Sequence, residues 1–270
     1  MAYTDDLAAV WAREREFHDE IAHDIDIDAL PTDPPIDRLQ HALLLLAGDV
    51  NGRRVLDAGC GQGDLTLHLL RSGAQVTALD LSPAMIDVVR RRTAKFARPP
   101  TLITAPLEQS ELPAASFDLI VGNYVLHHLE LDAGGRELAR LLRPGGRAIF
   151  VENSARNRVL SCARRTLAGR FGIPRLGTAD EHPLGQRDLR DLSASFAEVR
   201  VHYPVFEFLI LFDRQVLRFR YPRVTRIMRF ADDLIHRRAP RMRRFSYRAL
   251  VELGSSGAGR SDAGGRSLHG

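Results

Sequence analysis

One short stretch of the sequence, Val55–Gly63, combines an acid with three glycines directly after an apolar pair. Glycines lack a Cβ, so the backbone can turn sharply and come close to a ligand. The carboxylate of Asp57 would repel a pyrophosphate but would suit an ammonium or hydroxyl group. Asp64 is expected to cap the helix that follows, so that the free N–H groups of its first turn point at the glycines. The stretch predicts a ligand site lined by bare backbone.

Two other interpretations of this turn stay open. A dinucleotide-binding turn, G-x-G-x-x-G, has its third glycine one place later than this sequence, where Asp64 stands. A tight strand-to-helix turn with no ligand would use the same glycines. The residues further along the chain have to decide between these interpretations.

Further polar residues follow other predicted strands. Asp80 ends the second strand, where a carboxylate can accept hydrogen bonds from two hydroxyl groups, and Asn123 follows the fourth. His127 and His128 come soon afterwards and are candidate bases, although the pair could instead pack at the start of the next helix. His182 lies in a polar loop and is a third candidate base, with packing of that loop as its alternative role.

The elements that must position these residues alternate between strand and helix. Repeated β-α units joined by right-handed crossovers predict an α/β fold with a doubly wound, mostly parallel, seven-stranded Rossmann-like sheet. In such a sheet, ligands bind beyond the carboxyl ends of the strands, where the strand order reverses. The predicted strands are 54–58, 75–79, 101–104, 117–122, 147–151, 198–205 and 245–253.

The segments around this core define the expected domain organisation. Residues 1–35 are predicted to form a helical lid, in which Trp11 and Phe17 are candidates to cover a ligand, and the core spans 36–205. A helical insertion is predicted at 206–243, before the final strand at 244–253. Residues 254–270 are rich in Gly, Ser and Ala and are predicted to be disordered.

Composition argues against several classes of protein. The 270 residues contain no apolar run near the roughly 20 residues of a membrane span, and the acidic N-terminus lacks the apolar core of a signal peptide. Two cysteines, Cys60 and Cys162, indicate neither a disulfide framework nor a zinc site. A cytoplasmic protein is therefore expected, and no metal site is predicted, although the ten histidines do not exclude a metal.

The charge of the chain is unevenly distributed. The net charge is only +4, but residues 1–37 contain eleven Asp and Glu and two Arg, whereas residues 213–248 contain twelve Arg and three Asp. No nucleic-acid motif accompanies the basic segment, so no nucleic-acid partner is expected. The two charged segments could meet each other, or the basic one could meet an anionic surface.

Four motifs in order resemble those of the class I S-adenosylmethionine-dependent methyltransferases: Val55–Gly63, Ala78–Ser82, Phe117–Asn123 and Leu141–Gly146. The sequence Tyr124–Leu129 after the third of these resembles the small-molecule, type 11-like branch of that family, and the similarity covers residues 40–153. The resemblance implies the Rossmann-like methyltransferase fold and S-adenosylmethionine as the cofactor.

The resemblance also implies a set of cofactor contacts. Glycines of the turn would pack against the methionine part, Asp80 would hold the ribose, and Leu81 would lie on the adenine. Pro106 stands where the family often has an Asp that accepts from the adenine amine, so the Leu107 N–H or the Glu108 carboxylate is expected there instead. Asn123 would line the methyl-transfer channel. The complete expected set is Asp57, Gly59, Gly61, Asp80, Leu81, Leu107 and Asn123.

The function that follows from the resemblance is methyl transfer to a small, apolar or lipid-like acceptor, on oxygen ahead of carbon. Glu152, which ends the fifth strand, is a candidate contact for a polar group of that substrate. A cofactor-binding module without methyl transfer and a cofactor-assisted reaction other than methylation remain as alternatives.

The insertion 206–243 could roof the substrate pocket, form a dimer or lie on anionic lipid. Arginines 223, 226 and 229 beside an apolar stripe are typical of an interfacial helix, so peripheral membrane contact is part of this prediction.

Overall fold

The computed structural model describes residues 2–157, 160, 162 and 183–255. Within them, seven strands form one sheet in the order β3-β2-β1-β4-β5-β7-β6. Strands β1 to β5 pair in parallel, and β7 runs antiparallel to β5 and β6. The predicted α/β fold with a mostly parallel sheet is confirmed. The strands are β1 (Arg54–Ala58), β2 (Gln75–Asp80), β3 (Thr101–Thr104), β4 (Phe117–Asn123), β5 (Leu142–Asn153), β6 (Glu198–His202) and β7 (Arg248–Gly254).

Helices connect and flank these strands. Short 3-10 turns cover Ile27–Ala29, Leu107–Gln109, Leu126–His128 and Pro240–Phe245, and a π-helical turn covers Asp213–Leu217. The α-helices of the described residues are α1 (Ala2–His23), α2 (Arg38–Ala47), α3 (Asp64–Arg71), α4 (Pro83–Thr93), α5 (Leu131–Leu141), α6 (Gln186–Leu192), α7 (Leu209–Phe212) and α8 (Pro222–Arg238).

The core consists of two apolar layers, one on each face of the sheet. Successive residues of a strand point to opposite faces, and Val55 packs with α2 and α3 while its neighbour Leu56 packs with α5. Leu119 and Ile120 in β4 likewise pack on opposite faces of the sheet. Because the central strands are covered on both faces, they read as continuous apolar runs rather than as an alternating pattern.

Four local predictions were wrong, the first being strand β6, which ends at His202 rather than residue 205. Asp64 does not cap α3, because Gly63 with φ +86° is the cap residue and the Asp64 carboxylate pairs with Arg92 at 2.7 Å. Strand β5 begins at Leu142 rather than residue 147, because it pairs with β4 on both sides of an irregular Pro-Gly-Gly turn. Strand β7 begins at Arg248 rather than residue 244 or 245, because residues 240–245 form a 3-10 turn.

The insertion before β7 is organised around a buried acid in α8. Asp232 accepts hydrogen bonds from the backbone N–H groups of Phe208, Leu209 and Ile210 at 3.3, 3.1 and 2.9 Å. These groups have no partner within their own helix because they begin α7. The side chain of Asp232 therefore holds α7 against α8.

The disordered tail expected at 254–270 lies largely outside the described residues. None of the described helices combines the length and the apolar character that crossing a bilayer requires.

Candidate active site

The predicted cofactor residues meet where the strand order reverses, between β1 and β4. Asp57 lies at the carboxyl end of β1, Asp80 ends β2, and Asn123 ends β4. The crevice beyond such neighbouring strand ends is the usual ligand site of an open α/β sheet. The fold therefore brings together residues that are more than 60 positions apart in the sequence.

The turn after β1 is held in place by backbone contacts and closes against the segment after β4. Gly59 has φ +64°, and a Cβ at this position would lie 2.6 Å from Cγ2 of Val125. Gly61 has φ +51°, but a Cβ there would meet no atom within 4 Å. Gly59 is thus required by packing, whereas Gly61 leaves open space at the crevice that a ligand can approach.

Asp80 is the residue that joins the glycine turn to the end of β2. Its Oδ2 accepts from the N–H of Gly61 at 2.8 Å, and its Oδ1 accepts from the N–H of Ser82 at 2.9 Å. Burial raises the pKa of Asp80, and these two hydrogen bonds oppose that effect by favouring the ionised form. Each carboxylate oxygen can accept more than one hydrogen bond, so the geometry still allows ribose hydroxyls to bind.

Asp57 is turned towards the interior and not towards the crevice. Its side chain is 1% exposed, and its Oδ2 accepts from the Thr66 hydroxyl in α3 at 2.5 Å. Burial raises the pKa of Asp57 to about 7, with the charge of Asp80 adding to the shift and the bond from Thr66 opposing it. Asp57 can therefore affect a ligand only indirectly, by stabilising the glycine turn that follows it.

The remaining predicted cofactor residues differ in burial and in their hydrogen bonds. Leu81 is half-buried beside Asp80, whereas Leu107 is buried in the core at the start of a 3-10 turn. The Glu108 carboxylate accepts from the N–H of Glu130 at 3.2 Å, and burial raises its pKa. The buried Oδ1 of Asn123 has no hydrogen-bond partner among the residues that the structure describes, so it is an acceptor suited to a ligand donor.

The two predicted histidines have different surroundings. Nδ1 of buried His127 lies 2.7 Å from Oε2 of Glu152, whose Oε1 accepts from the N–H groups of Val125 and Leu126. Glu152 is therefore an internal support of this turn and not the substrate contact that the sequence suggested. Half-buried His128 points instead towards α1, with Nδ1 3.2 Å from Oε2 of Glu14. His182 lies outside the described residues.

Helix α1 packs against α4 and the turn after β2, next to Asp80. Asp19 Oδ1 accepts from the Ser82 hydroxyl at 2.5 Å, and Ala22 packs against α4 through Met85 and Val88. The charge of His18 favours the ionised form of Asp80, so this histidine lies close to the carboxylate. Trp11 and Phe17 in α1 are half-buried.

The sequence analysis missed three residues of this helix, Glu14, His18 and Asp19. Glu14 and His18 are one helical turn apart and share a face, which was the available signal. Their contacts with Ser82 and His128 depend on how α1 docks, and the sequence pattern does not specify that.

The comparison with known families agrees with this geometry. The family model described as "Methyltransferase domain" matches residues 56–150, the region that contains the glycine turn, Asp80, Asn123 and both histidines. Residues 56–150 therefore form a methyltransferase domain of the class I S-adenosylmethionine-dependent type. The family's cofactor fits the crevice, because a carboxylate, an open glycine backbone and the free acceptor of Asn123 converge there.

Individual methyltransferases match the same part of the chain. The demethylmenaquinone methyltransferase of Tropheryma whipplei is 35% identical over 140 residues, which are 51% of this chain and 56% of that protein. The malonyl-[acyl-carrier protein] O-methyltransferase of Serratia marcescens is 38% identical over 109 residues, 40% of this chain and 41% of that protein. The chain thus spans about half the length of the curated relatives it matches.

A solved structure extends the likeness to the fold as a whole. The crystal structure of an S-adenosylmethionine-dependent methyltransferase from Mesorhizobium loti superposes with a TM-score of 0.53 at 21% identity, covering 84% of this chain and 99% of that one. At this identity the likeness concerns the fold alone. It includes regions beyond residues 56–150.

Proposed function

We propose that this chain transfers a methyl group from S-adenosylmethionine to a small, apolar or lipid-like acceptor, with oxygen favoured over carbon. The observation that carries the proposal is the hydrogen bond of 2.8 Å between Asp80 and the Gly61 N–H. It joins a buried carboxylate to a glycine whose missing side chain leaves open space. One ligand can therefore reach both groups. The carboxylate would bind its ribose hydroxyls, and the bare glycine backbone would contact its methionine part.

The methyl-transfer step needs alignment of the acceptor and removal of its proton. Bound S-adenosylmethionine supplies a methyl group on a positively charged sulfur. Asn123 would line the path to the acceptor with its Oδ1. His127 is favoured as the base, because Glu152 holds its Nδ1 at 2.7 Å and so keeps Nε2 as the basic nitrogen.

The acceptor class is supported by the named activities of the relatives. One relative is named for a demethylated menaquinone and another for O-methylation of malonyl groups on acyl-carrier protein. The first name points to an apolar quinone acceptor, and the second to an acyl acceptor that is methylated on oxygen.

An S-adenosylhomocysteine release assay tests the activity. With short-chain acyl and quinol acceptors, we expect product release that depends on enzyme and acceptor together. Asp80→Ala should weaken S-adenosylmethionine binding by about 100-fold, because hydrogen bonds to a charged group contribute about 1.5–3 kcal/mol each. Asp87→Ala, an exposed acid of α4 that pairs with Arg90, is the matched control and should bind as the wild type does.

The alternative is a protein that binds the cofactor without transferring its methyl group. Isothermal titration would then show S-adenosylmethionine binding that is lost in Asp80→Ala, while no acceptor releases S-adenosylhomocysteine. Binding that is undiminished in Asp80→Ala would contradict the proposed cofactor site itself.

The proposal includes peripheral contact of the insertion with an anionic membrane. The outward face of α8 exposes Ile227, Phe230 and Leu234, at 67%, 68% and 45% exposure. Their spacing of three and four residues puts them on one side of the helix. Exposed arginines flank them on that side, at 223, 226, 237 and 238. Apolar side chains bordered by arginines are typical of helices that lie in the headgroup region of a bilayer.

A vesicle flotation assay tests this contact. Replacing Arg223, Arg226 and Arg237 together by Gln should remove about 3 kcal/mol of attraction to anionic vesicles, at about 1 kcal/mol for each charge near the surface. The control replaces three exposed arginines of another region, Arg90, Arg91 and Arg98, and makes the same change in net charge. Equal binding of the two triple variants would contradict a specific role for α8.

A further inference from the structure

Two histidines and a glutamate meet between the lid helix and the turn after β4. Glu14 and His18 come from α1, and His128 comes from the 3-10 turn Leu126–His128. Oε2 of Glu14 lies 3.2 Å from Nδ1 of His128 and 3.8 Å from Nε2 of His18. The three donor atoms all lie within 4.8 Å of one another. One carboxylate oxygen thus faces two imidazole nitrogens from separate elements.

The surroundings hold these side chains in place. Glu14 is 6% exposed, and the side chains of His18 and His128 are 34% and 23% exposed. The His128 ring lies 4.3 Å from the ring of His127, which is itself fixed by Glu152. The His18 ring packs edge-on against Phe17 at 5.3 Å. The cluster is partly shielded from water and remains reachable from solvent through its two imidazoles.

The set of atoms matches the ligand preferences of zinc. Zn²⁺ binds imidazole nitrogen and carboxylate oxygen at about 2.0–2.1 Å in tetrahedral geometry, which places ligand atoms about 3.3 Å apart. The distances of 3.2 and 3.8 Å from Glu14 are close to that value. Rotation of the half-exposed His18 side chain can shorten the distance between the two imidazole nitrogens. Three protein ligands leave the fourth tetrahedral position for water or another oxygen, as in catalytic zinc sites.

We propose that Glu14, His18 and His128 bind a Zn²⁺ ion that fastens helix α1 to the turn following β4. The ion joins the lid to the wall of the crevice, because α1 also contacts Ser82 through Asp19. No metal site was predicted from the sequence, because residues 14 and 128 are far apart in it and come together only in the fold. If the oxygen of a methyl acceptor took the fourth position, the zinc ion would also help to place the substrate for the proposed methyl transfer. Zinc binding itself does not depend on that activity.

Co²⁺ titration of the full-length protein after chelator treatment tests the site. Tetrahedral Co²⁺ has intense visible absorption, and Zn²⁺ should displace it at one equivalent. His18→Gln and His128→Gln should each weaken Co²⁺ binding by more than about tenfold, since even changes to outer-sphere partners of a metal cost 10–100-fold. His23→Gln, an exposed histidine of the same helix, is the matched control and should bind Co²⁺ as the wild type does.

Two further measurements separate loss of the metal site from loss of the fold or of the cofactor site. Circular dichroism and S-adenosylmethionine titration on each variant report the fold and the crevice. Glu14→Gln keeps the shape of the side chain while removing its charge, and it should also weaken Co²⁺ binding. A wild-type protein without saturable Co²⁺ absorption, or folded His18→Gln and His128→Gln variants with unchanged affinity, would overturn the site and leave an ordinary carboxylate–imidazole cluster. Either result would leave the methyl-transfer proposal standing.

Discussion

At the scale of single residues, Asp57 makes the stability of the protein depend on pH. Its carboxyl group is buried, and burial raises its pKa from 3.8 to about 7. Below about pH 4 both the folded and the unfolded state hold the proton, so ionisation costs nothing. As the pH rises towards 7, only the unfolded state releases it, and folding stability falls. The loss is on the order of 4 kcal/mol and is complete above the folded pKa.

The variant Asp57→Asn should remove that part of the pH dependence. Asn is neutral at every pH, and its oxygen can still accept from the Thr66 hydroxyl. The difference in unfolding free energy between variant and wild type should therefore grow in favour of the variant from about pH 4 to about pH 7. Urea unfolding across this range measures it. Parallel pH profiles would contradict the assignment, and Asp87→Asn on the exposed face of α4 is the control.

Residues were predictable from the sequence where local pattern determines their position. Asp80 and Asn123 could be placed because each directly ends an apolar strand, and neighbouring parallel strands end at the same edge. Glu14 and Glu152 could not be assigned their roles in this way. Glu14 depends on how α1 docks onto the sheet, and Glu152 satisfies backbone N–H groups of a turn 26 residues earlier.

At the scale of elements, the glycine turn separates packing from ligand access. Gly59→Ala would put a Cβ 2.6 Å from Val125 Cγ2 in addition to the strain of φ +64°. We expect it to lower the unfolding free energy by about 2–4 kcal/mol, the sum of backbone strain and overpacking. Gly61→Ala introduces backbone strain without a clash and should lower the unfolding free energy by only about 1–2 kcal/mol. Its Cβ projects into open space, so it should weaken S-adenosylmethionine binding more than it weakens the fold.

Chemical unfolding and cofactor titration on the two variants measure this separation. Adding Val125→Ala to Gly59→Ala removes the methyl group that clashes and should recover part of the lost stability. The same Val125→Ala change on its own provides the reference for the double-mutant cycle. Equal stability losses in Gly59→Ala and Gly61→Ala, or no recovery in the double variant, would contradict the packing role of Gly59.

The elements themselves were predicted well where strand and helix alternate and less well where packing intervenes. Strand β1 has the expected limits, and helix α3 directly follows the glycine turn as expected, because a buried apolar run and a glycine turn define them locally. The start of β5 was misplaced because Pro144, Gly145 and Gly146 suggest a simple turn. In the structure, Leu142 already pairs with β4, so the strand begins before these three residues and continues after them. Register between strands is a tertiary property that a single segment does not reveal.

At the scale of the whole molecule, one buried arginine connects segments that are distant in the sequence. Arg248 in β7 binds Glu207 through two hydrogen bonds of 2.6 and 2.7 Å, Asp37 at 2.5 Å and the Tyr124 hydroxyl at 2.9 Å. Asp37 caps helix α2 by accepting from Leu39 and Gln40, and Tyr124 directly follows Asn123 at the crevice. The start of the insertion, the core and the candidate active site therefore share one contact point.

The charges around Arg248 depend on it. Burial alone would raise the pKa of Asp37, but the charge of Arg248, together with hydrogen bonds from Gln40 and Leu39, holds that pKa below its usual value. Removing the guanidinium would leave two carboxylates facing each other across a partly buried space. Loss of one member of a buried ion pair costs about 3–5 kcal/mol, because the partner charge stays without compensation.

We therefore expect Arg248→Met to lower the unfolding free energy by about 3–5 kcal/mol, whereas Arg200→Met, the control, should change it by less than about 0.5 kcal/mol. Arg200 pairs with Glu198 on neighbouring strand β6, but both side chains are more than half exposed. Urea unfolding at neutral pH compares the two variants. Because the carboxylates left by Arg248→Met can be neutralised by protonation, its deficit should shrink as the pH falls towards 4. A deficit that is small, or that does not depend on pH, would mean that packing of the insertion holds these segments together without the arginine.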